Sequence, residues 1–312
     1  MPTFATPEPI SVTMTLGVGE VRITASERSD TVVAVNPSDR TDQADVIAAE
    51  QTRVDYSPGR LLIKAPRTWK RYSPRGGGES IEVAIELPAG SQMQGEGSMA
   101  DLRSVGRLGE FRFTTATGHI EIDHAGPLHV STGLGSITVN RAAGHAVVTG
   151  SGAVRVREID GSAVIKNLNG DTWVGAVSGD LRCHAANGDI TVDRALATVG
   201  AKTANGNVRI GEVVRGSVVL RSASGDLEVG IREGTAALLD VRSQFGSVHN
   251  SLTAADGPEP SDQRVEVRAR SAFGDIAIRR SRPVPPGRDE GEAPGPPPPP
   301  IGDRDSRPRQ GP

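Results

Sequence analysis

Five aspartates, Asp171, Asp180, Asp189, Asp226 and Asp275, each follow a glycine directly, and their regular recurrence is the feature of this 312-residue chain that could do chemistry. Carboxylates brought together in a groove can act as acid and base in glycoside cleavage, or can wrap a calcium ion. If alternate units of the chain stack, Asp171 and Asp189 lie one above the other, followed by Asn207 and Asp226. Two carboxylates about 5 Å apart repel by roughly 1 kcal/mol in water and about 3 kcal/mol at an effective dielectric of 20, which invites a counter-ion. Calcium, however, takes roughly six to eight oxygens. One aspartate per turn supplies few of them, and the nine-residue calcium repeat carries more glycines and a differently placed Asp. The acids follow turn positions, where Asp bonds its own backbone. The expectation is therefore turn formers, with no metal site, no cofactor and no catalytic residue; a carbohydrate-active or calcium-dependent β-helix protein is the alternative.

The other reactive types agree. His119, His124, His129, His145, His184 and His249 show no metal-ligand spacing. The single cysteine, Cys183, occupies an inward position of an alternating strand and has no partner for an intrachain disulfide. No nucleophile elbow, phosphate loop or dinucleotide fingerprint stands in a strand-to-helix setting. An enzyme is not expected.

Two places suggest binding instead. Arg60, Lys64, Arg67, Lys70, Arg71 and Arg75 lie in a segment without an acid between Ser57 and Gly78, interleaved with Trp69 and Tyr72. Cations among aromatics suit stacking on bases or sugars and contact with phosphates. Pro66, Pro74 and Gly76 to Gly78 mark this segment as a loop, so a solvated hairpin loop is the competing reading. Trp173 stands between the inward positions Thr172 and Val174 and so points outward, with Arg155 and Thr191 as column neighbours, where an exposed Trp can anchor a partner. The candidate interaction surface is thus Arg67, Trp69, Lys70, Arg71, Tyr72, Arg75 and Trp173.

What positions all of these is a glycine repeat. Glycine falls almost every nine residues from Gly109 to Gly246, and the residues two and four places later form apolar pairs such as Ile120/Ile122, Ile137/Val139, Val154/Val156 and Val208/Ile210. The residue between them is usually polar, which is period two and hence strand. Only Thr172 and Asn250 break the apolar pattern. Each unit is too small to bury its own apolar face, so neighbours must stack. Two units make a coil of about 18 residues, and glycines 118, 135, 152, 170, 188, 206, 225 and 246 mark successive coils. The fold class is all-β: a single β-solenoid of flattened coils, forming a rod of about 45 Å at the spacing of paired strands. Ser151, Asn169, Asn187, Asn205 and Ser224 recur just before corner glycines and can bond up and down the stack.

The ends depart from the beat. Residues 1–96 keep strand alternation without it and read as a β-rich N-terminal cap, with a loop or short helix over 37–50; 97–281 is the solenoid domain; and 251–263 is a loop before the last strands. The tail 282–312 holds half of the 22 prolines and almost no apolar residue, so it reads as disordered with polyproline bias, a tether or a ligand for aromatic grooves. Net charge is −3, so no global field favours nucleic acid. Neither a signal peptide nor an apolar span long enough for a membrane is present, so a cytoplasmic protein without membrane insertion is expected.

The beat in SGDLRC, NGDITV, NGNVRI, SGDLEV and FGDIAI, preceded by IEVAIELPAG, resembles the bacterial β-strand-repeat family named for adhesins, a domain of unknown function, in its soluble actinobacterial form. The resemblance runs from about Ile10 to Arg280. It implies a β-solenoid, no catalytic residues to carry over, and an interaction role. The expected function is a non-catalytic scaffold or adhesin-like interaction protein. Its partner would be a protein or an anionic polymer, self-association is possible, and a self-assembling rod is a further alternative.

Overall fold

The computed structural model describes residues 2–66, 79–253 and 263–281. Within them the chain is a β-solenoid, because from Phe111–Thr117 to Leu227–Ile231 each strand pairs in parallel with the strand two places along. Leu128 lies between Phe111 and Ala146, and Ile137 between Ile120 and Val154. Two walls result, joined at the corners. One runs from Phe111–Thr117 through Ala163–Asn169, Leu181–Asn187 and Val199–Asn205 to Gly216–Ser224. The other runs from Ile120–Ala125 through Thr172–Val177 and Ile190–Ala195 to Leu227–Ile231.

Identical positions stack, so the inward residues form aliphatic columns. Ile120, Ile137, Val154, Ile190, Val208 and Leu227 are all buried, with only Thr172 intervening. Burying each such side chain is worth about 1.5–3 kcal/mol, and β-branched residues fit this pleated surface. Thr172 is tolerated because Asn167 Nδ2 donates to its Oγ1 at 3.2 Å inside the core. Asn250, the other polar exception, is exposed on an end strand.

The corners need glycine for two reasons at once. Gly206 has φ +146, and a Cβ there would sit 2.1 Å from the carbonyl oxygen of Gly188. That carbonyl is in turn claimed from inside. Thr203 Oγ1 donates to Gly188 O, as Ser222 donates to Gly206 O at 3.0 Å, Thr132 to Gly118 O at 3.0 Å, and Ser271 to Gly225 O at 3.0 Å. A hydroxyl three residues before each of these corners therefore satisfies the corner one coil away, which lets a polar side chain be buried.

At the N-terminal end the strand Ser11–Ser26 bends through Gly17 and Gly19 and contributes to both walls. It lies between Gln92–Arg107 on one side and Arg60–Lys64 and Ser80–Pro88 on the other. Residues 96 and 97 thus fall inside one strand of the stack. Beyond it the parallel pattern stops, because Asp30–Pro37 and Arg53–Ser57 pair antiparallel to Ser80–Pro88 and Arg60–Lys64. The helix Gln43–Gln51 packs here, its N-cap Asp42 accepting from the Ala44 N–H at 2.8 Å. The buried Asp45 carboxylate accepts from the N–H groups of Asp39 at 2.9 Å and Ser80 at 2.7 Å, tying the helix to the strand.

The far end differs from the sequence expectation. Glycine stepping sets Gly246 next to Gly225, but Gly274 occupies that place and Gly246 lies beyond it. Gln263–Phe273 and Ile276–Arg280 are inserted between Gly216–Ser224/Leu227–Ile231 and Thr235–Phe245/Val248–Asn250. Burial explains the order. The inserted pair offers Val265, Val267, Ala269, Ile276 and Ile278, all buried, whereas at the same register positions the terminal pair offers Ala237, Leu239, Val241 and Val248, with the polar Asn250 in the place of Ile278.

Candidate functional site

The glycine-following aspartates are engaged with backbone. The N–H of Asp189 donates to Asp171 Oδ1 at 2.9 Å, that of Asn207 to Asp189 Oδ1 at 2.7 Å, that of Asp226 to Asn207 Oδ1 at 2.8 Å, and that of Asp275 to Asp226 Oδ1 at 2.7 Å. Asp180 does the same for Thr198 at 3.3 Å. Each carboxylate ties one coil to the next, and Asn207 divides the charges. The column is a seam of the stack and its acids do not converge on a cleft. Among the described residues no group of three His, Cys, Asp or Glu side chains is placed to hold a metal ion.

Beside it runs the amide ladder. Asn187 Nδ2 donates to Asn169 Oδ1 and Asn205 Nδ2 to Asn187 Oδ1, both at 2.9 Å, and Asn169 Nδ2 reaches Ser151 Oγ at 3.4 Å. Two histidines are likewise used at corners, with His119 Nδ1 2.7 Å from Ser136 Oγ and His145 Nδ1 2.9 Å from Ser162 Oγ. Cys183 is buried, and the loss of solvation pushes its thiol up to about 12, so no thiolate is available at neutral pH.

Of the sequence-derived interaction residues, Arg67, Trp69, Lys70, Arg71, Tyr72 and Arg75 lie outside the described residues. Trp173 is half-buried, paired between Arg155 and Thr191 on the outer surface. Its six-membered ring reaches over Gly175, where a Cβ would lie 3.1 Å from the ring. Its indole N–H faces the Asp193 carboxyl and favours the charged form. Desolvation raises the Asp193 pKa, against the pull of the indole N–H and of Arg209.

The walls differ in charge, a property that reading from the glycines missed. On the wall carrying Trp173, cations alternate with acids. Arg103 pairs with Glu121 at 3.6 Å, Arg194 with Glu212 at 3.3 Å, Arg209 with Glu228 at 3.5 Å and Arg279 with Glu228 at 2.5 Å, while Arg141 meets Asp160. On the opposite wall Lys166, His184, Lys202, Arg221, Arg270 and Arg242 stand opposite one another in successive strands. Lys166, Lys202 and Arg221 are exposed and have no ion-pair partner among the described residues; Arg270 meets Asp240 at 2.5 Å. Neighbouring cations about 5 Å apart cost roughly 1 kcal/mol each in water. The signal was in the sequence, since 166, 184 and 202 keep the coil step. The place of Arg270 before Arg242 was hidden by the inverted end.

Solved structures similar to the chain include the following three. A "putative cell adhesion protein" from Clostridium sporogenes is 11 % identical over 90 % of this chain and 98 % of its own, with a TM-score of 0.25. A "putative adhesin" from Bacteroides fragilis is 10 % identical over 89 % and 95 %, with a TM-score of 0.36. A "putative lipid binding protein" from Parabacteroides distasonis is 12 % identical over 90 % and 96 %, with a TM-score of 0.29. None of the three carries a functional argument at such identity and TM-score. No curated relative matches. No described helix is long and apolar enough to cross a membrane. The family model that matches residues 10–282 is that of Toastrack DUF4097, and on a match over most of its length the chain belongs to this family, a β-solenoid domain of unknown function.

Proposed function

We propose that the chain is a non-catalytic β-solenoid scaffold, an adhesin-like interaction module that binds through its outer walls. The observation that supports this reading is the use of the aspartates. Their oxygens accept backbone N–H groups of the next coil, so the residues best suited to acid–base work are spent on stacking. What the coils offer a partner is their outward columns, with Trp173 and the segment around Trp69 as contact residues. Incubation of the full chain with a panel of polysaccharides, followed by a reducing-end assay, is expected to show no cleavage. Cleavage that disappears in Asp171→Asn/Asp189→Asn would overturn the reading. The cytoplasmic location expected from the sequence belongs to this proposal, and fractionation of expressing cells tests it.

A second reading, self-association into a rod, is favoured by one observation. The strand Thr235–Phe245 pairs on one side only among the described residues and exposes Leu238 and Phe245. Light scattering that finds only monomer across concentrations would exclude it.

A further inference from the structure

We propose that the wall from Ala163–Asn169 to Thr235–Phe245 is a binding groove for an extended carboxylated polysaccharide lying along the stacking axis, an assignment that rests on the non-catalytic binding reading. The observation is the column Lys166, His184, Lys202, Arg221, Arg270 and Arg242, one basic residue per strand over six successive layers. Like charges directly opposite each other in a sheet are destabilising. The other wall avoids that by pairing Arg209 and Arg279 with Glu228 and Arg194 with Glu212. Asp240 neutralises the column only at its far end, where it meets Arg270 and Arg242, so Lys166, Lys202 and Arg221 are left open for a partner of opposite charge on this face alone.

The shape of the face narrows the class of partner. A groove runs beside the column, lined by Lys202, Arg221, Arg270 and Arg242 on one side and floored by Ala204, Ala223 and Ala272. Small side chains leave it flat, and the corner ladder containing Asn205 bounds it. Parallel strands repeat at about 4.8 Å, so the cations form a straight row at that interval. A chain of six-membered sugar acids carries one carboxylate per ring and advances by about one strand spacing per ring, which matches the row in charge and in repeat. Guanidinium groups take carboxylates with two parallel hydrogen bonds, which suits Arg221 and Arg242. Single-stranded nucleic acid is the less fitting polyanion, since it is held by successive bases stacked on aromatic side chains, whereas the groove lining has none and the two that border its last layers, Phe273 and Phe245, are stacked on each other.

The test is fluorescence anisotropy of a labelled oligogalacturonate titrated with the full chain. Saturable binding that weakens as salt rises is expected. Lys202→Glu/Arg221→Glu should weaken it about tenfold or more, while Arg155→Glu/Arg157→Glu on the other wall should leave it unchanged, both variants melting as the parent does. A neutral dextran of equal length should not compete. The assignment is overturned by equal losses in both double variants, by competition from dextran, by tighter binding of an oligothymidylate, or by no binding of the oligogalacturonate. The last result leaves the non-catalytic reading intact, because that reading falls only to polysaccharide cleavage.

Discussion

The backbone N–H of Asp275 donates to Asp226 Oδ1 at 2.7 Å although the two residues are 49 positions apart. Everywhere earlier in the column the same bond joins residues 18 or 19 apart. The seam thus continues unbroken through the end of the stack while the chain leaves and re-enters it. The geometry of a layer is set by its corner and inward residues, whatever the chain order that delivers them.

If the corner carbonyl leaves no space for a side chain, Gly206→Ala must combine strained φ with a backbone clash. A loss of about 3 kcal/mol or more is expected in urea unfolding. Gly200 lies near the start of the strand Val199–Asn205, with its nearest neighbour 4.0 Å from an added Cβ. Gly200→Ala should be neutral or stabilise by about 0.5 kcal/mol. Equal losses at the two positions would contradict the corner argument.

Asn187 donates to Asn169 and accepts from Asn205. Asn187→Ala removes both bonds at an exposed position, so a loss of about 1–2 kcal/mol is expected from the net worth of two hydrogen bonds. A shift in the urea midpoint no larger than that of an isolated surface Asn would show the ladder to be without energetic weight.

Cys183 should be unreactive until the coil opens. Its thiol, held near 12 by burial, is expected to resist a thiol reagent in the native protein and to react fully in denaturant. Rapid native labelling would mean that the layer Leu181–Asn187 opens readily.

Desolvation pushes the Asp123 carboxyl up, but hydrogen bonds from Asn140 Nδ2 and the Gly106 N–H, each 3.1 Å, together with His124, outweigh it and leave the pKa below its ordinary value. A depressed carboxylate contributes stability that is present above the unfolded pKa, about 3.9, and is lost as pH falls through the folded value. Asp123→Asn should therefore lower the melting temperature at neutral pH, with the difference from the parent shrinking below about pH 4. A difference constant from neutral pH to acid would rule out the linkage.

The coil, its corners and its ladders were readable because they are local. A glycine, the polar residue before it and two apolar positions after it recur inside each unit, and stacking copies them into columns. Thr172 broke the pattern, yet its partner Asn167 was also visible as a Ser, Thr or Asn three residues before a corner glycine. The order of the last layers was not readable, since Gly246 and Gly274 both begin units and the chain order favours Gly246. The choice between them is made by the greater apolar content of Val265 to Ile278, a comparison between segments. Trp173 shows the same limit. Its register neighbours Arg155 and Thr191 follow from the coil step, but its lie over Gly175 and its nearness to Asp193 depend on side-chain packing across columns.

The inverted last coils have a mechanical consequence. The chain leaves the solenoid through Ile276–Arg280, which is clamped between Leu227–Ile231 and Val248–Asn250. A force applied to the C-terminus cannot peel an outermost strand one bond at a time. It must shear an interior strand against two neighbours at once, so the bonds on both sides resist together, and the rod holds at the end from which it would be pulled.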